Sequence, residues 1–129
     1  MGQKTALIFT TINHLVFVLV PSRAPSYIRM TKVRFDQVKV EWDPLPQQFA
    51  NGRLLGYTVY FYEYYNWYKL TKSVSTSGPF VNMVILRGLK AATRYQIAVA
   101  AFTSKGAGTQ SYWQHITTGD ILCHNAVKF

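Results

Sequence analysis

Hydrophobic and polar residues alternate with a period of two through most of the chain, and no stretch carries an apolar stripe at helical spacing longer than a turn or two. Val38, Val40 and Trp42 are interleaved with Lys39 and Glu41, a strand with one buried face that stops at Asp43-Pro44-Leu45-Pro46. Asn51-Gly52 marks a turn, after which Tyr57, Val59 and Phe61 share one face and Thr58, Tyr60 and Tyr62 the other. Ser73 to Pro79 reads as a polar loop. Val84 and Leu86 then lead across a turn at Arg87-Gly88 to Leu89. The clearest alternation sets Tyr95, Ile97, Val99 and Ala101 against Arg94, Gln96, Ala98 and Ala100. Gly106 and Gly108 are expected to break the chain before a last strand within Gln110 to Thr118. With a first strand near Ser26 to Thr31, this predicts about seven short strands and an all-β sandwich.

The ends read differently. Met1 to Lys4 carries one positive charge, Ala6 to Val20 is mostly apolar, and Ser22-Arg23-Ala24 places small residues where a signal peptidase reads them. Thr10, Thr11, Asn13 and His14 interrupt that stretch, so residues 1–21 are read either as a secretory signal or as an ill-fitting N-terminus. Pro21 and Pro25 mark the domain boundary, because neither fits inside a helix or a central strand. The domain is placed at 22–119, with 120–129 as a short tail.

Composition agrees with the pattern. Hydrophobic residues make up 49% of the chain, too many for disorder, and the 9 Tyr and 8 Phe suit a pleated, half-buried surface. One cysteine, Cys123, permits no internal disulfide, so the fold rests on its packed core. The formal charge of +9 favours acidic partners such as glycosaminoglycans or anionic membranes, or merely keeps the protein soluble. The cations are scattered singly: no run of five or six appears.

The motifs then point to a family. Trp42-Asp43-Pro44 followed by Asn51-Gly52-Arg53-Leu54-Leu55-Gly56-Tyr57-Thr58-Val59-Tyr60 resembles the second and third strands of fibronectin type III domains. Leu89-Lys90-Ala91-Ala92-Thr93-Arg94-Tyr95 through Ala101 is similar to that family's Leu…Thr-x-Tyr-x-x-x-Val-x-Ala segment, with Ala91 where proline is common. Gly106-Ala107-Gly108 with Ser111, and Thr117-Thr118, resemble its last hairpin and closing strand. The resemblance implies a seven-stranded, immunoglobulin-like β-sandwich with a core of Trp42, Tyr57, Val59, Leu89, Tyr95, Ile97 and Val99. Trp42 is expected to anchor the two sheets with a partner for its indole N–H, and Tyr95 to form a tyrosine corner. Truncating Trp42 to alanine should cost ~3–5 kcal/mol.

The chemical inventory argues against an enzyme. His14, His115 and His124 are far apart in sequence, and Cys123-His124 is a poor zinc spacing with no further cysteine. No phosphate loop, nucleophile elbow or calcium loop is present, so no catalytic, cofactor or metal residue and no small-molecule substrate is expected. Nucleic acid is excluded as a partner for want of a recognition helix or a strand-borne Arg/aromatic motif. The integrin-binding Arg-Gly-Asp tripeptide is absent, and Ser111-Tyr112-Trp113 is only a faint echo of the cytokine-receptor Trp-Ser-x-Trp-Ser motif.

The unusual feature is the aromatic run Tyr60, Tyr62, Tyr64, Tyr65, Trp67 and Tyr68, a candidate protein-binding surface or a set of rings covered by cross-strand neighbours. The resemblance implies a non-catalytic binding or spacer module outside the cell, secreted or at the cell surface. Its proline-bearing start is similar to linkers in neuronal adhesion molecules and receptor tyrosine phosphatases, which implies one bead of a cell-adhesion or receptor ectodomain. The alternative is a basic glycosaminoglycan (heparin)-binding module.

Overall fold

The protein is described by a computed structural model over residues 20–66 and 71–121. Among these residues, eight strands form two antiparallel sheets: β1 (Ser26–Arg34), β2 (Gln37–Asp43), β3 (Gly56–Glu63), β4 (Lys72–Ser75), β5 (Met83–Leu86), β6 (Arg94–Thr103), β7 (Gly106–Gln110) and β8 (Gln114–Thr117). One sheet has the order β1-β2-β5. The other runs β4-β3-β6, with β7 and β8 both paired to the remaining edge of β6.

Two features differ from the strands expected from the sequence. Residues 73–75, the start of the stretch read as loop from sequence, belong to the edge strand β4, which pairs with β3 in register Thr58↔Ser75 and Tyr60↔Ser73. The second is a split last strand. β7 pairs with the C-terminal part of β6 (Thr103↔Gly106, Ala100↔Gln110) and β8 with its N-terminal part (Ile97↔Gln114, Arg94↔Thr117). Between them the Ser111 Oγ accepts the Val99 N–H at 2.9 Å, while the Ser111 N–H donates to the Val99 carbonyl. A side chain thus replaces one ladder acceptor, and the strand is interrupted there. Gly106 and Gly108, expected as chain breakers, lie inside β7. Gly108 is needed there because the backbone of Pro21 crosses directly over it.

Side chains from alternate positions meet between the sheets. Val38, Val40 and Trp42 of β2 and Leu86 of β5 face Tyr57, Val59 and Phe61 of β3 and Tyr95, Ile97, Val99 and Ala101 of β6, all buried. The Trp42 ring lies 5.3 Å from that of Tyr57 at 57°. Its backbone is clamped by Asn82, whose carbonyl accepts the Trp42 N–H and whose side-chain amide donates to the Trp42 carbonyl. One expectation fails here: the buried indole Nε1–H finds no hydrogen-bond acceptor in the described chain. The ring sits in a cluster of apolar side chains.

Two tyrosines tie loops to the core. The Tyr95 hydroxyl accepts the Lys90 N–H at 2.9 Å, five residues upstream, and the Tyr57 hydroxyl accepts the Leu45 N–H at 2.9 Å. Burial raises the Tyr95 phenol above its ordinary value of 10.0, and the Lys90 hydrogen bond opposes that rise.

Candidate functional site

The outer face of the larger sheet carries the aromatic run. Because β3 alternates, burying Tyr57, Val59 and Phe61 obliges Thr58, Tyr60 and Tyr62 to face away from the core. Opposite them, β6 presents Arg94, Gln96, Ala98 and Ala100 in the register Tyr62↔Gln96 and Tyr60↔Ala98. After Glu63 the chain turns through a short 3₁₀ segment, Tyr64–Asn66. Glu63 fixes that turn by accepting from the Asn66 amide at 3.0 Å and pairing with Lys90 at 3.1 Å.

The rings stack on one another and on a cation. Tyr62 meets Trp113 edge to face, with centroids 4.9 Å apart at 78°. Tyr64 meets Tyr65 at 5.1 Å and 81°, and the Arg94 guanidinium lies 4.3 Å from the Tyr64 centroid. Tyr60 and Tyr62 are half-buried. The outermost of these rings stay open, with Tyr65 77% and Trp113 39% exposed. Beneath them, Arg94 Nε and Gln96 Oε1 are buried with no hydrogen-bond partner in the described chain. Such atoms cost stability.

Of the sequence candidates, Tyr62, Tyr64 and Tyr65 come together on this face, with Tyr60 beside them on the same strand; Trp67 and Tyr68 lie outside the described residues. Arg94 and Trp113 were missed. Their signal is topological: β8 pairs beside β6, and Trp113 immediately precedes it. The basic residues are divided over both sheets. Arg29, Arg34, Lys39 and Lys90 pair with Asp43, Asp36, Glu41 and Glu63, so every carboxylate at 36–63 is matched to a cation. Among the described residues no cluster of three or more His, Cys, Asp or Glu is placed to hold a metal. No helix among them is long and apolar enough to cross a membrane.

Two facing sheets, the Trp42 anchor and the Tyr95 corner describe a known kind of sandwich, and the fibronectin type III domain family model matches residues 23–117. The chain belongs to the fibronectin type III family. Its similarity to individual members of that family is substantial. It is 42% identical over 99 residues to MAM and fibronectin type III domain-containing protein 1 of Acropora millepora, covering 77% of this chain and 23% of that protein. It is 31% identical over 114 residues to the cell adhesion molecule DSCAML1 of Gallus gallus, covering 86% of this chain and 5% of that one. The chain therefore spans less than a quarter of the length of either relative. Among solved structures, the third fibronectin III domain of the human KIAA0343 protein superposes with a TM-score of 0.74 at 23% identity, covering 92% of this chain and 94% of that one.

Proposed function

We propose that this fibronectin type III domain is a non-catalytic protein-recognition module of a cell-adhesion ectodomain, acting outside the cell through the outer face of its larger sheet. The observation that carries this reading is the Tyr62–Trp113 and Arg94–Tyr64 stack, which sits over two unsatisfied polar atoms and leaves Tyr65 open. Tyr and Trp anchor interfaces because they bring rigid area and a polar tip at low entropic cost. A face built mainly for stability would not bury polar atoms without partners. Similarity to a relative named as a cell adhesion molecule supports the same setting.

The places where the chain enters and leaves the sandwich suit a bead in a row. Val20 lies beside Gly106 at one pole, where its carbonyl accepts from the Asn51 side chain. Gly119 lies beside Phe35 and Ala92 at the other. The ten residues of β6 run between these poles, a span of roughly 33 Å.

The test is binding of the full chain, displayed on beads, to intact cells, with Tyr65→Ser and Trp113→Ala compared against the natural sequence. Binding that falls at least tenfold in either variant, while survival after heparinase treatment excludes a sulfated polysaccharide, supports the proposal. Binding unchanged in both variants, or abolished by heparinase, overturns it.

A further inference from the structure

The segment before β1 is held far more firmly than a linker. Pro21 is fully buried. Its carbonyl accepts the Thr109 N–H of β7 at 3.2 Å, the Ser22 N–H donates to the Phe49 carbonyl at 2.8 Å, and the Asn51 Nδ2 donates to the Val20 carbonyl at 3.0 Å. The Arg23 guanidinium lies 4.1 Å from the Phe49 ring centroid. A methyl group at Gly108 would stand 2.5 Å from Pro21 Cβ and closer still to its carbonyl oxygen. The notch between β7 and the Phe49–Asn51 loop is therefore shaped to a backbone lying directly on Gly108. Proline suits the buried position because it has no N–H that would need an acceptor there.

We propose that this notch is a binding site for an extended, proline-bearing peptide segment, occupied in the folded domain by the chain's own Val20–Arg23. It follows that the folded unit starts no later than Val20. A cut after Ala24, where small residues invite a signal peptidase, strips the occupant and opens the free edge of β7 to a peptide of the same kind from elsewhere.

Hydrogen exchange on the full chain tests this. Pro21→Asp places a charge in the notch and expels the strap while leaving Gly108 intact. The Thr109 amide should then exchange at least tenfold faster, and trypsin should cut after Arg23 correspondingly faster. The Tyr57 amide, which donates to Thr76 Oγ1 across the sheet, should keep its protection. An excess of a synthetic peptide spanning residues 18–25 should restore Thr109 protection in Pro21→Asp and fail to do so in Pro21→Asp/Gly108→Ala. Unaltered Thr109 exchange, or no rescue by the peptide, overturns the proposal. If Pro21→Asp also exposes the Tyr57 amide, Asn51→Gly, which keeps the turn conformation and removes only the donor to Val20, decides. Selective loss at Thr109 supports the site, and no loss refutes it.

Discussion

The hydroxyl of Tyr57 accepts the backbone N–H of Leu45 at 2.9 Å in the buried interior, so a β3 side chain holds the loop that leaves β2. A buried donor that loses its acceptor incurs most of its desolvation cost, ~1–3 kcal/mol. Tyr57→Phe keeps the ring against Trp42 and orphans the Leu45 N–H. Urea unfolding should show a loss in that range with an unchanged m-value; no loss would mean the bond is not formed in solution.

Tyr95 makes the equivalent bond to Lys90 and adds a pH signature. Since burial lifts its folded value above 10.0, the folded phenol keeps its proton where the unfolded one has lost it. That contribution is intact below about pH 10 and is lost as pH rises through the folded value, at up to ~1.4 kcal/mol per pH unit. Tyr95→Phe should be less stable than the natural protein at pH 7 by ~1–3 kcal/mol. The gap between the two should narrow above about pH 10. A gap that stays constant to pH 11 would contradict the assignment.

Trp42 fills the centre of the core without using its indole N–H. Trp42→Ala should cost ~3–5 kcal/mol. Trp42→Phe forfeits ring area but no hydrogen bond, and should cost less than half as much by the same denaturant measurement. Equal costs would reveal an indole partner in solution.

On the outer face, Trp113→Ala removes the edge contact with Tyr62, worth ~0.5–1.5 kcal/mol. A double-mutant cycle with Tyr62→Ala should return a coupling of that size, and circular dichroism should show the sandwich retained. Loss of folding would assign Trp113 to structure rather than recognition.

Much of the sandwich was legible because burial on one side of a strand forces strict alternation, as along Val38–Trp42, Tyr57–Phe61 and Tyr95–Ala101. β4 was not, because Lys72-Ser73-Val74-Ser75 is exposed throughout and its strand character comes only from pairing with β3. The break at Ser111 was hidden for a related reason: it depends on a serine hydroxyl reaching across to Val99. Half of the outer aromatic face was readable as an unusual tyrosine run. The other half arrives from Arg94 and Trp113, remote in sequence, and only the order of strands brings them alongside.

The longest unpaired margin among the described strands, that of β1, is kinked by bulges between Ser26 and Arg29 and again between Lys32 and Arg34. It carries three exposed cations, Lys32 and the ion-paired Arg29 and Arg34. A flat nine-residue margin would template stacking between molecules; a bent one set with charged side chains presents a poor template to its own copies. Crowded on a surface or concentrated in a tube, such domains should resist clumping side by side.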